Sequence, residues 1–334
     1  MYKKVVIFIS AIMCILLLCS CANRTSPQTE TKNDVQDDNE VLELKVIRYP
    51  QLGSEQGNDY SDYYESGLLY PSQSRTVDSL REGTSQKFVL RNKEYTATYV
   101  RSKVYTDAEP DFLKLGNYDL YVVDGRADFQ VFKDTGFVKK VYIHDREVKR
   151  SKKIVTDFSE KGLISAAESV LTDLYGSSIL EYLSGYYQFD YAKLMEYANS
   201  ELNRYAVCYR AYLNGVPTDD VVYVSFSLSG ALIGVSTPKY LQYKDVNETL
   251  LIPLDKLEEA IRSELENLDY SRTYSRIRLR DNELPCYYTM NTMGELYYVT
   301  EWEAFKQYTE GAGVTYIETL AIKAERVLNK KSSG

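Results

Sequence analysis

Histidine is the side chain best suited to acid–base chemistry at neutral pH, and this 334-residue sequence contains only one, His144. A Ser-His or Cys-His catalytic pair would therefore have a single candidate base, and no Gly-x-Ser-x-Gly motif supplies a nucleophile. The His-Glu-x-x-His zinc motif, a phosphate-binding loop and the Rossmann glycine pattern are also missing from the sequence. The sequence thus predicts no catalytic residue, metal or cofactor, and His144 is expected at the surface end of a strand.

Carboxylate pairs are the other source of acid–base chemistry, because glycosidases hold two of them about 5–10 Å apart. Adjacent acids occur at Asp37-Asp38, Asp219-Asp220 and Glu258-Glu259. Neighbouring residues on a helix do not face each other, and the fold sets the required separation. Among 48 acidic residues these pairs single out no active site, so a hydrolase stays open as an alternative.

Tyrosine is unusually frequent, with 32 residues against 10 phenylalanines and 1 tryptophan. Its flat ring and polar tip suit β-strands, where rings stack across neighbours, and this structural role is the main expectation. The alternative is an aromatic face that binds a glycan or a peptide. The candidate residues for such a face are Tyr63, Tyr64, Tyr187, Tyr288 and Trp302.

The N-terminal residues carry the clearest signal for localisation. Two lysines precede an uncharged apolar run at 5–18, which has the length of a signal-peptide core and is short for a membrane-spanning helix. The following Leu18-Cys19-Ser20-Cys21 resembles the cleavage box of bacterial lipoproteins. The resemblance implies that residues 1–20 are removed and that Cys21 carries a diacylglyceryl group, whose palmitate-like chains enter the bilayer.

The net charge of −8, without a basic stripe, argues against binding of nucleic acid. Because anionic headgroups repel an acidic body, the acyl chains on Cys21 are expected to hold the membrane. The expected location is the extracytoplasmic face of a bacterial cell membrane, with an outer membrane as the alternative. Residues 21–40 contain one large apolar side chain, Val35, and are expected to form a disordered tether.

Two cysteines remain after the signal and the lipidated residue. Cys208 and Cys286 each lie in a strand-like apolar run. We expect them to be free, buried thiols, and a disulfide between them is the alternative.

Strand patterns dominate residues 41–150. The Asp124-Gly125 pair is typical of a tight hairpin, which indicates antiparallel pairing. The charged run at 145–153 marks the predicted end of this β-rich domain, and its basic cluster is interpreted as a solvated connector rather than an anion-binding site. The predicted strands are 41–49, 87–90, 94–104, 118–123, 127–132 and 137–143.

Helical patterns begin after this run. A helix is predicted from Ser159 or Ser165 to Gly176, a second over 190–202, and a third from Pro253 to Leu265. The order of a helix followed by strands recurs in 160–235 and 253–323, which indicates an internal duplication. The predicted strands of this half are 205–213, 221–227, 231–235, 274–279, 285–290, 296–302 and 314–323.

One segment of this half resembles a known family. The helix with Ile164-Ser165-Ala166-Ala167-Glu168-Ser169 and the strand and turn Tyr209-Arg210-Ala211-Tyr212-Leu213-Asn214-Gly215-Val216-Pro217 are similar to PepSY-like domains of bacterial exported proteins. The resemblance covers 160–240, and 253–323 more weakly. It implies a helix packed on a small antiparallel sheet, in a non-catalytic extracytoplasmic module that inhibits or regulates a partner.

Together these patterns predict an α+β fold of antiparallel sheets with packed helices. The predicted parts are a signal peptide (1–20), a tether (21–40), a β-rich domain (41–150) and a PepSY-like pair (151–330). The expected function is a membrane-anchored, non-catalytic binding or regulatory lipoprotein whose partner is a membrane or secreted protein, or a cell-wall or dietary glycan. A cell-surface hydrolase, a glycan-binding protein with an aromatic face and a solute-capture lipoprotein of a transporter stay open as alternatives.

Overall fold

A computed structural model describes 44–48, 66, 68, 75–77, 80–90, 93–105, 111–237, 242–267, 276–282, 284–309 and 312–326. These residues all belong to one unit that begins at Leu44. The predicted signal peptide, the tether, Cys21, Tyr63 and Tyr64 lie outside the described residues. No helix in the described ranges combines the length and the apolar character needed to cross a membrane.

The described elements are mostly strands. The strands are β1 Val46–Arg48, β2 Arg75–Val77, β3 Ser85–Leu90, β4 Lys93–Val104, β5 Tyr118–Val123, β6 Ala127–Phe132, β7 Val138–Ile143, β8 Tyr187–Met195, β9 Arg204–Leu213, β10 Val216–Ser227, β11 Leu232–Ser236, β12 Arg276–Leu279, β13 Cys286–Met290, β14 Leu296–Thr309 and β15 Ala312–Lys323. The helices are α1 Asp111–Lys114, α2 Asp145–Arg150, α3 Glu160–Tyr175, α4 Ser178–Tyr186 and α5 Leu254–Asn267.

The fifteen strands form one hydrogen-bonded sheet, ordered β1-β15-β14-β13-β10-β11-β7-β6-β5-β4-β2. Strand β12 also pairs with β14, β3 with β4, β8 with β9, and β9 with β10. Among the described strands every pairing is antiparallel except that of β10 with β13, which meet in parallel at Thr218 and Tyr288. This one parallel strand pairing joins the antiparallel segment β2–β11 to the segment formed by β1 and β12–β15.

The expected α+β fold of antiparallel sheets with packed helices is wrong, because the protein is β-rich and its strands share one mixed sheet. Residues 190–202, predicted as a helix, belong to strand β8 and a 3₁₀ turn at Ser200–Leu202. A four-residue apolar spacing fits one face of a helix and, being even, one face of a strand as well. The stretch that contains β8 is a strand rather than a helix because it pairs with β9.

Strand β7 pairs with β11 over Val141 and Val235, so the sheet runs across the predicted domain boundary at residue 150. Among the described residues of the two stretches predicted to be duplicated, two helices precede four strands in the first and one helix precedes four strands in the second.

Several local predictions are confirmed. The β5–β6 hairpin turns at Gly125, whose φ of +61° suits glycine. Helix α3 begins after Ser159, whose hydroxyl accepts a hydrogen bond from the Gly162 amide, and ends at Gly176. Cys208 and Cys286 are both free as expected, but only Cys208 is buried, whereas Cys286 is half-buried. Burial raises the pKa of the Cys208 thiol to about 12.

Two helices pack against the sheet. Helix α3 contacts β3, β8 and β9, which come from opposite ends of one antiparallel segment, so this segment curves around the helix. The buried face of α3 presents Ala167, Val170 and Leu171 to the core. Helix α5 packs Leu257 and Ile261 into a second core. Each such buried Leu, Ile or Val side chain stabilises the fold by roughly 1.5–3 kcal/mol.

Candidate functional site

A cavity of about 520 Å³ opens between the β3–β4 hairpin, helix α2 with the segment that follows it, and helix α3. Its volume is in the range of small-molecule binding sites. We call it the basic pocket, since four of its lining side chains are cationic and two are acidic. The lining residues are Leu90, Lys93, Tyr95, Ile143, Glu147, Arg150, Ser151, Lys152, Lys153, Ile154, Ser169, Asp173 and Leu232.

The short helix α2 and its C-terminal cap position the basic side chains. Acidic residues occupy its first turn and Lys149 and Arg150 its last, which suits the helix dipole. The Ser151 hydroxyl donates to the Glu147 carbonyl at 2.7 Å. The chain then turns to the β10–β11 connection, where the Ile154 and Val155 amides donate to the Gly230 carbonyl at 2.7 and 2.9 Å. This attachment holds Lys152 and Lys153 at the rim.

One wall carries a fixed arrangement of charges around Glu147. Lys93 Nζ and Arg126 Nη2 donate to the same oxygen, Glu147 Oε1, at 2.6 and 3.1 Å. Both cations also lie near the ring of Tyr95, with Lys93 Nζ 4.9 Å and Arg126 Cζ 5.5 Å from its centroid. The hydrogen bond from Arg126, and then that from Lys93, lowers the pKa of Glu147. Glu147 is therefore ionised at neutral pH and unsuited to donating a proton.

The floor of the basic pocket is apolar. Leu90, Ile143 and Leu232 are buried in the core of the curved segment, and Ile154 packs against that core. The pocket thus combines a cationic rim with an apolar floor. The sequence indicated only the charged run at 145–153; Lys93, Tyr95 and Asp173 come from distant segments that strand pairing and helix packing bring to it.

The predicted aromatic residues do not form an exposed face in the described structure. Tyr187 and Tyr288 are each 1% exposed, and Trp302 is half-buried with its indole N–H donating to Thr300 Oγ1 at 2.9 Å. Tyr288 packs edge-on against Tyr298 at a centroid distance of 5.7 Å. These residues thus serve the core, while Tyr63 and Tyr64 lie outside the described ranges.

The acid pair Asp219-Asp220 lies where the two antiparallel segments meet. Residues 218–220 form a bulge in β10, between Pro217 and Val221. Asp219 accepts hydrogen bonds from the hydroxyls of Tyr243 and, at 2.7 Å, Thr289.

Asp220 accepts from the hydroxyls of Tyr187 at 3.0 Å and Tyr186 at 3.3 Å. Burial, together with the nearby charge of Asp219, raises the pKa of Asp220 to about 7. Because Asp220 is fully buried, we interpret this tyrosine–carboxylate cluster as a structural joint between the segments.

Within the described ranges, no group of three or more His, Cys, Asp or Glu side chains is arranged to hold a metal ion. Comparison of the chain with protein-family models, curated proteins and solved structures finds no match.

Proposed function

We propose that this protein is a membrane-tethered, extracytoplasmic binding protein that captures a small anionic ligand in the basic pocket. The observation that carries the proposal is the excess of cationic side chains around a ligand-sized cavity. The whole chain has a net charge of −8, so this local excess of positive charge contrasts with the rest of the molecule. Converging cations lower the free energy of a bound anion and attract it over a distance.

A binding role fits the basic pocket better than hydrolysis of a glycan does. A glycosidase needs one protonated carboxyl group with a raised pKa, next to a second carboxylate. Glu147 is instead held ionised by Lys93 and Arg126.

A solute-capture lipoprotein of a transporter would hold its ligand in a cleft between two α/β lobes. The basic pocket instead lies within one curved antiparallel segment and its helices. We therefore favour a binding protein that acts through its tether rather than a two-lobed transporter component.

The proposed tether begins at Cys21. Two or three acyl chains anchor a protein stably, since each buried CH₂ group contributes about 0.8 kcal/mol. The described residues begin at Leu44, so more than twenty residues of sequence separate the proposed lipid from them. The acyl chains would keep the basic pocket close to the membrane, although the anionic headgroups repel the acidic protein surface.

Replacing Cys21 with serine tests the anchor. We expect the Cys21→Ser protein of mature size to leave the membrane fraction, because serine cannot form the thioether that carries the lipid. Cell fractionation with immunoblotting measures this, and any form that retains residues 1–20 is counted separately by its size. Cys19→Ser is the matched control and should stay in the membrane fraction. Mature-size Cys21→Ser protein in the membranes would contradict the lipid anchor.

A further inference from the structure

The distribution of charge and apolar surface in the basic pocket defines its ligand more closely than net charge does. We infer that the pocket binds an amphipathic anion, a molecule with one carboxylate, sulfate or phosphate group on a compact apolar body. This inference rests on the proposed function and specifies the ligand of that same site.

The rim offers cations that are not already neutralised. Arg150 and Lys152 are exposed, and neither has an ion pair within the described part of the chain. Lys93 also lines the rim with a side chain that is 46% exposed, but its charge is already paired with Glu147. A single anionic group at the rim would therefore meet several donors, and charge-assisted hydrogen bonds are the stronger ones.

The floor of the pocket favours an apolar part of the ligand. Beneath the rim, Leu90, Ile143 and Leu232 expose only 3–6% of their surface, and Ile154 beside them is partly exposed. None of these side chains can form a hydrogen bond. A fully hydrated anion such as inorganic phosphate would use the rim and leave this floor in contact with water. An apolar body would displace that water, and its burial is favourable in proportion to the area covered.

A sugar acid fits the pocket less well. Sugar rings commonly pack on an exposed aromatic face, and among the described residues Tyr95 is the only aromatic one that lines the cavity. Its ring lies against the cationic groups of Lys93 and Arg126. The aromatic face is therefore occupied by the protein's own cations, which leaves aliphatic surface for the ligand.

Isothermal titration calorimetry of the mature chain, residues 21–334 with Cys21→Ser, tests the inference without detergent. The probes are octanoate, inorganic phosphate and octanol, which present the amphipathic anion, the anion alone and the apolar body alone. We expect octanoate to bind at least roughly tenfold more tightly than either of the others, since each part of the pocket contributes separately.

Two double variants with the same change in charge show where octanoate binds. Arg150→Glu/Lys152→Glu should weaken octanoate binding roughly tenfold, because it reverses two rim charges. Arg146→Glu/Lys149→Glu changes the same helix outside the lining and should bind octanoate as the unaltered chain does. Ile154→Ser should weaken octanoate but not phosphate, and circular dichroism checks that each variant is folded.

The outcomes separate this inference from the proposed function. Equal affinity for phosphate and octanoate, lost together in Arg150→Glu/Lys152→Glu, would keep anion capture and overturn the amphipathic ligand. Octanoate binding that survives this double reversal would overturn the inference, because the ligand would then sit elsewhere. Absence of binding by both anions would overturn both. If octanoate binds as expected, its displacement by phosphatidylglycerol vesicles identifies a lipid as the source, and resistance to them identifies a soluble acid.

Discussion

The Asp220→Asn protein is expected to be more stable than the unaltered protein at pH 8, by about 2–4 kcal/mol, and to lose this advantage as the pH falls to 4. Burial raises the pKa of Asp220 to about 7, above the value near 4 of an unfolded chain. Between these values the folded state binds a proton that the unfolded state does not, so the contribution of Asp220 to stability is fully present below about pH 4 and is lost as the pH rises to 7. Asparagine removes the ionisation and with it the decline.

Thermal denaturation by circular dichroism at pH 4, 6 and 8 measures this effect. Asp145→Asn is the control, since Asp145 is an exposed acid on α2 and the change should leave the melting temperature nearly constant. An equal shift of the Asp220→Asn melting temperature at all three pH values would show that the buried carboxyl does not titrate near neutrality.

Gly230→Ala is expected to destabilise the protein by about 3–5 kcal/mol and to open one wall of the basic pocket. Gly230 has a φ of +85°, and a Cβ atom there would lie 2.2 Å from the carbonyl oxygen of Val155. The Gly230 carbonyl also accepts the amides of Ile154 and Val155, so the residue cannot move without releasing the segment that carries Lys152 and Lys153. Urea denaturation at pH 7 gives the free energy of unfolding.

Gly136→Ala is the matched control for this change. Gly136 also has a positive φ, of +68°, but no atom lies within 4 Å of the position a Cβ would take. Its substitution should cost only about 1 kcal/mol of backbone strain. Similar losses in both variants would show that the close approach of Gly230 to Val155 does not hold the pocket wall.

Local chemistry made part of the fold predictable. Asp124-Gly125 identified a hairpin, Ser159 a helix cap and Pro253 the start of a helix, because each depends on the conformation or hydrogen bonding of a few adjacent residues. The fold class was not predictable in this way, since it depends on β7 pairing with β11 and β10 meeting β13, contacts between distant segments.

The alternation of side chains along a strand explains why tyrosines predicted on an exposed face are buried. In the pair Tyr287-Tyr288 only the second is buried, as one covered face predicts, whereas Tyr297 and Tyr298 are both buried because β14 is covered on both faces. Which tyrosine of a pair faces outward depends on this covering, which the sequence does not reveal. The sequence likewise does not reveal the contact between Lys93 and Glu147, because it requires the β3–β4 hairpin to meet α2.

Native mass spectrometry of the protein isolated from the cells that produce it tests most directly whether the basic pocket captures an anionic ligand. The protein is compared with its Arg150→Glu/Lys152→Glu and Arg146→Glu/Lys149→Glu variants. We predict that a small organic anion accompanies the unaltered protein and the second variant and is lost from the first. A protein that carries no such mass, or a mass that all three forms retain equally, would contradict capture in this pocket.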